Sequence, residues 1–319
     1  MRTQTKLIKE NHNPDGVDRR GFLECMAWAG TGMLWSVAGG LLSSKAFSAR
    51  AESPASAMGD FHFAQISDTH IGFNKEANKN VAATLRESIK RINALPNKPE
   101  FILHTGDLTH LAEAEEFDIL DEILKEAKAP VIYVPGEHDV IGDNGKRFRE
   151  RCGKDALGQG WRSFDQRGVH FVGLVNVMDI REGGLGVLGR EQLDWLKKDL
   201  SDKSNDMPIV VFAHIPLWNV YPAWGWGTDD SAEALTYLKR FGSVTVLNGH
   251  IHQVMKKVEG QVTFHTAMST AFPQPEPGKA PKPGPMKVEP GQLRSYLGIT
   301  DVAYIQSDHS LAIVDTKLA

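Results

Sequence analysis

The chain has 319 residues, 41% of them apolar and 24% charged, with a formal net charge of −4. This composition excludes a disordered or low-complexity polymer and suffices for one large or two ordinary cores. It carries no basic excess, so nucleic acid is excluded as an expected partner and anionic lipid offers no purchase, leaving water-soluble small molecules.

In chain order, the first segment stands apart. Residues 18–51 read DRRGFLECMAWAGTGMLWSVAGGLLSSKAFSARA, with Arg19-Arg20, then Phe22-Leu23, then a weakly apolar run from about Cys25 to Leu42, then Ala49-Arg50-Ala51. This resembles a bacterial twin-arginine export signal with a cleavage site of A-x-A type, cleavage after Ser48 being a second place. The resemblance implies a signal peptide over 1–51, the twin-arginine export machinery as a partner, and a domain over 52–319 exported folded to the periplasm or beyond. An uncleaved anchor is the alternative, and the only route to a membrane, because the run approaches the shortest span. Losing the signal removes Cys25 and leaves Cys152 alone, so the mature chain has no internal disulfide.

Beyond it, short apolar runs alternate with helical patterns. A strand is expected over 61–67, an amphipathic helix over 77–94, a strand over 100–107, a helix over 112–128 and a strand over 130–136. The alternation continues with strands over 169–176, 208–214 and 243–250 and helices over 190–200 and 231–241. It ends in a hairpin folding at Glu259-Gly260 and two last runs, 297–305 and 311–316. Alternation followed by consecutive strands predicts a mixed-sheet α/β domain with helices outside. Residues 272–292 are too rich in proline for sheet or helix and are expected as a long loop, either a solvated crossing or a wall over the site.

The chemistry-bearing residues follow the strands. SDTH supplies Asp68 and His70, TGDLTH supplies Asp107 and His110, PGEHD supplies Glu137, His138 and Asp139, FAHIP supplies His214, and NGHIH supplies His250 and His252. Strand ends form the crevice where open α/β sheets bind ligands. Residues two apart in an extended segment face one side, so Asp68 with His70 and His250 with His252 can each address one point. Imidazoles and carboxylates without thiolates suit Zn, Mn, Fe or Co.

In this order the residues resemble the signature of the calcineurin-like metallophosphoesterases, D-x-H, G-D-x-x, G-N-H-[DE], H and G-H-x-H, over residues 68–252. The resemblance implies a four-layer α/β/β/α sandwich of two mixed sheets flanked by helices, and two metal ions (Fe, Mn or Zn). By position, Asp68, His70, Asp107 and His252 would hold the first ion, and Asp107, Glu137, His214 and His250 the second. His138 would face the substrate as a proton donor, with Asp139 orienting it. Two such cations clamp a phosphoryl oxygen and generate hydroxide for an in-line displacement.

Two positions depart from the family pattern. Glu137 stands where the family has asparagine, so the centre gains a carboxylate, which either favours a trivalent ion or weakens the pull on phosphate. His110 stands where the purple acid phosphatase branch has its chromophoric tyrosine, so no purple enzyme is expected. His110 remains open as an extra ligand, a substrate-facing group or a surface residue. The other histidines, His12, His62, His104, His170, His265 and His309, are assigned to structure. Trp218, Tyr221, Trp224 and Trp226, in the loop after His214, either stack on substrate or pin that loop to the body. The expected function is a metal-dependent phosphoesterase hydrolysing a small-molecule phosphomonoester or phosphodiester by metal-bound hydroxide. The alternative is an inert, metal-stabilised binding module derived from one.

Overall fold

The computed structural model describes residues 33–38, 41–46, 60–289 and 291–319. The chain divides into a unit ending at Ser56 and a second, Ala57–Ala319. In the first, β1 (Met33–Ala38) pairs antiparallel with β2 (Leu41–Ala46). Arg19-Arg20, Phe22-Leu23 and Ala49-Arg50-Ala51 of the expected signal lie outside the described residues. Among those described, no helix is long and apolar enough to cross a membrane.

The second unit runs β3 (Phe61–Ile66), α1 (Val81–Ala94), β4 (Ile102–His104), α2 (Ala114–Leu124), β5 (Val131–Tyr133) and α3 (Lys146–Cys152). Then come β6 (Arg162–Gln166), β7 (Val169–Gly173), α4 (Arg190–Leu200), β8 (Ile209–Ala213), α5 (Ser231–Leu238) and β9 (Val244–Asn248). The last strands are β10 (Lys256–Glu259), β11 (Val262–Thr266), β12 (Gly298–Ile305) and β13 (Ser310–Lys317).

Two mixed sheets result, one ordered β10-β11-β9-β8-β7-β6 and the other β13-β12-β3-β4-β5. In the first, the central strands pair parallel and both edge strands antiparallel; in the second, β3, β4 and β5 pair parallel while β12 joins β3 and β13 antiparallel. Side chains alternate between the two faces of each strand, which sorts them into three apolar layers. Phe61, Phe63, Phe171, Phe212 and Val302 fill the space between the sheets. Ala64 and Ile66 turn outward to meet Leu85 and Ile89 of α1 and Phe117 and Leu120 of α2. Val211 and Val246 do the same against Leu193 and Leu196 of α4 and Leu238 of α5. The expected four-layer α/β/β/α sandwich is the observed one.

Two helices, α1 and α2, start later than periodicity alone suggests, because caps set their ends. The Asn80 side chain accepts the Ala83 amide at 3.0 Å, so α1 begins at Val81 rather than 77. Glu116 accepts the Glu113 amide and fixes the first turn of α2. In the second unit, the polar edge strand β6 and the seven-residue α3 were not expected.

Candidate metal centre

The ligand-bearing residues leave the strands in left-handed backbone, not extended. Asp68 (φ 55°), His70 (40°), Asp107 (52°), His250 (68°) and His252 (56°) all have positive φ. The expectation of side chains alternating along an extended strand is therefore corrected: each chain turns sharply at the strand end and folds its side chains back over the sheets. Such φ values cost about 1–3 kcal/mol each, and structure persists there only where the surroundings over-determine it. Those surroundings are visible. The Asp68 carboxylate accepts the His250 amide at 3.1 Å, and Asp107 accepts the His138 amide at 2.9 Å. Gly249 and Gly136 let these loops close up, since a Cβ on Gly249 would lie 1.9 Å from Ser67 Oγ and one on Gly136 2.0 Å from Asp107 Oδ1.

Beneath the loops, buried amides and hydroxyls lock the two sheets together. Gln65 Nε2 donates to Thr105 Oγ1 (3.0 Å) and to the Asn248 carbonyl (3.2 Å), and Asn248 Nδ2 donates to the Ala213 carbonyl (2.9 Å). Ser269 Oγ donates to the Asp68 carbonyl at 2.8 Å. Sequence reading missed these residues, whose signal is a polar side chain inside an otherwise apolar run.

Above this floor, the seven expected ligands meet. His70 Nε2 lies 3.4 Å from Asp107 Oδ2 and 3.3 Å from His252 Nε2, which is itself 3.3 Å from Asp68 Oδ1. His214 Nε2 is 3.4 Å from Asp107 Oδ2 and 2.9 Å from Glu137 Oε2, and His250 Nδ1 is 2.9 Å from Glu137 Oε1. His214 Nδ1 donates to the Thr105 carbonyl (2.6 Å) and His252 Nδ1 to the Phe272 carbonyl (2.5 Å), which aims both Nε2 lone pairs into the cluster. His214 Nε2, Glu137 Oε2 and His250 Nδ1 make no aligned hydrogen bond despite these distances. Buried donors and acceptors rarely go unpaired, and atoms that approach without alignment are arranged as ligands of a common cation. The trios Asp68-His70-His252, Asp68-Asp107-His214 and Glu137-His214-His250 each keep their ligand atoms within 4.8 Å of one another. The donor set thus fits hard-to-borderline metal ions.

The electrostatics agree with a site built to attract cations. Burial alone would push the His214 imidazole down, yet the Asp107 and Glu137 carboxylates raise it well above its ordinary value. Burial opposes ionisation of Glu137, but His250 and His214 hold it well below the usual carboxylate range. His70 is pushed well below the ordinary value by burial and by the rings of His138, His252 and His110. His138 moves up: burial works against it, and Asp107 and Glu137 overcome that.

His138 is held differently from expectation. Its Nδ1 donates to the His110 carbonyl at 2.6 Å, and its ring stacks on the His110 ring at 4.8 Å and 15°. Asp139 does not orient it. Both Asp139 oxygens are taken, by the amides of Leu108 (3.0 Å), Thr109 (2.8 Å) and Gly136 (2.9 Å) and by Thr109 Oγ1 (2.8 Å). Burial and Asp107 push that carboxyl up to about 6 while those amides pull it down. Asp139 therefore pins the Asp107 loop to the Glu137 turn. His110 is half-buried, with its ring edge-on to Phe73 at 5.2 Å, so the surface reading fails for it.

The aromatic loop is pinned to the body. Trp226 is buried with Trp224 edge-on at 5.1 Å, Tyr221 packs on Trp224 at 5.2 Å, and Trp218 on Phe264 at 5.0 Å. The proline-rich segment is a wall beside the centre: Gln274 Nε2 donates to the His250 carbonyl at 2.9 Å. His104, His170 and His265 serve structure, bonding Thr69, Asp165 with Asp199, and Asp315.

The family model of the calcineurin-like phosphoesterases matches residues 61–254. A 3′,5′-cyclic-nucleotide phosphodiesterase of Nostoc sp. is 28% identical over 218 residues, 66% of this chain and 78% of that one. A glycerophosphodiester phosphodiesterase of Enterobacter lignolyticus is 26% identical over 225 residues, again 66% and 78%. Among solved structures, a dimetal phosphatase from Danio rerio superposes with a TM-score of 0.58 at 13% identity, covering 81% of this chain and 96% of its own.

Proposed function

Because this chain belongs to the calcineurin-like phosphoesterase family and is a metal-dependent phosphoric ester hydrolase, we propose that it cleaves a small-molecule phosphodiester at a dinuclear centre. The observation that carries the proposal is the convergence of His70, His214, His250 and His252 with Asp68, Asp107 and Glu137, their facing atoms close yet not aligned as hydrogen bonds. Asp68, His70, Asp107 and His252 would hold one ion and Asp107, Glu137, His214 and His250 the other. Bound there, such ions supply Lewis acidity to phosphoryl oxygens and make water nucleophilic at neutral pH.

The chain's own groups do the rest. With Nδ1 committed to the His110 carbonyl, His138 has Nε2 free for the substrate. In its protonated form that nitrogen is placed to deliver a proton to the departing alkoxide. Glu137 adds a third carboxylate to Asp68 and Asp107 and so lowers the positive charge of a centre holding two divalent ions, which suits a monoanionic diester better than a dianionic monoester. The activities of the Nostoc and Enterobacter relatives support the same class.

Turnover of bis-p-nitrophenyl phosphate and p-nitrophenyl phosphate with Mn²⁺ or Zn²⁺ tests this. Faster diester hydrolysis is expected. Faster monoester hydrolysis overturns the substrate class, and inertness of metal-loaded protein favours the binding module. We also propose that residues 1–51 export the chain to the periplasm; replacing Arg19 and Arg20 by lysine should retain it in the cytoplasm, and unchanged export refutes this.

A further inference from the structure

The proline-rich segment does more than border the centre. Its first residue, Phe272, is 3% exposed and touches two of the histidines at once. Its carbonyl accepts His252 Nδ1 at 2.5 Å, its ring lies 4.7 Å from that of His252, and it stacks on His70 at 4.7 Å and 25°. Phe73, from the loop that follows His70, closes the far side at 4.4 Å. Two residues on, Gln274 holds the His250 carbonyl through Nε2, while its Oε1 accepts the Gly284 amide at 3.0 Å and folds the segment back on itself. Gln253 Nε2 donates to the Pro275 carbonyl at 3.1 Å, and Asn78 Nδ2 to the Ala271 carbonyl at 2.7 Å. The segment thereby bridges the loop carrying His70 and the loop carrying His250 and His252.

This composition suits the task. Proline fixes φ, so the segment holds its shape at low entropic cost. Outside any strand, its carbonyls at Phe272 and Pro275 are left to accept from side chains. A histidine ligand needs its tautomer and ring plane set: the Phe272 carbonyl does the first for His252, and the Phe272 ring does the second for His252 and His70. Gln274 acts one step back, on the peptide that keeps His250 in its left-handed turn.

We propose that Phe272 and Gln274 are positioning residues through which the proline-rich segment preorganises three metal-binding histidines. The proposal rests on the metal-centre reading. The test is the Mn²⁺ dissociation constant of the full chain, by competition with a fluorescent chelator, for Phe272→Leu, Gln274→Ala and the exposed control Lys279→Ala, each with the melting temperature of the metal-free protein. Binding about 10- to 100-fold weaker is expected for the first two and unchanged binding for the control, with metal-free melting of Gln274→Ala close to the parent. Parent-like affinity in both variants overturns the proposal alone, as does lost affinity matched by an equal loss of metal-free stability in Gln274→Ala. Should Phe272→Leu fail to fold, Gln274→Ala, on the half-buried rim, decides. A parent chain that binds no metal overturns the metal-centre reading itself and this proposal with it.

Discussion

His170 lies in β7 and His214 just past the end of the neighbouring strand β8, both buried, both against carboxylates, and they are built in opposite ways. His170 Nδ1 lies 2.5 Å from Asp165 Oδ1 and Nε2 2.8 Å from Asp199 Oδ2, each an aligned hydrogen bond, with Lys203 and Ser163 completing those carboxylates. His214 approaches Glu137 at 2.9 Å without alignment, and among the described residues its one aligned partner is the Thr105 carbonyl behind it. Closeness of imidazole to carboxylate therefore does not mark a metal site. What marks it is lone pairs converging on a shared point, with the remaining ring nitrogen spent on orientation.

The contrast can be broken or sharpened by substitution. The largest effect is expected from Asp107→Asn, which removes charge from the carboxylate that lies 3.4 Å from both His70 and His214: bound metal and hydrolysis should both fall to background. Chelation of the parent should do likewise, and at 100-fold excess over its dissociation constant metal should restore about 2.7 kcal/mol, raising the melting temperature by about 5–10 °C. His138→Ala should lower kcat by about 10²–10⁴ while leaving metal content unchanged, measured by steady-state kinetics beside elemental analysis. His110→Ala removes the stacked ring but keeps the carbonyl, so kcat should fall by up to about tenfold, most for poor leaving groups, with KM unaffected.

His170→Gln should be smallest for catalysis and visible only in stability. Hydrolysis and metal content should match the parent, while stability at pH 7 falls by about 1–2 kcal/mol, discounted because Asp165 is half exposed. Burial would raise the Asp165 and Asp199 carboxyls, yet His170 holds both below the ordinary 3.8. A lowered folded value means the contribution is fully present above pH 3.8 and lost as pH falls through the folded values. The gap between parent and variant in denaturant titrations should therefore close at acid pH. Lost metal in this variant would dissolve the distinction between the two clusters.

Much of this was legible in the sequence. β8 and β9 are apolar runs that periodicity reads directly, and the ligand residues follow strands in a recognisable order. The polar strand β6, RSFDQ, escaped because its half-exposed residues earn their pairing from β7, not from hydrophobicity. α3 escaped because only Phe148 and Cys152 anchor it. At the site, residue types showed but backbone did not: nothing in SDTH or NGHIH announces left-handed turns, which are imposed by contacts such as that from Asp68 to the His250 amide. Asp139 was misplaced for a related reason. Adjacency to His138 suggested a partnership, whereas the short turn directs its carboxylate to amides about thirty residues earlier in the chain.

The most direct test is anomalous scattering from crystals grown with saturating Mn²⁺. The account predicts two peaks sharing Asp107, one coordinated by Asp68, His70 and His252 and the other by Glu137, His214 and His250. A single peak, or none among these residues, would contradict it.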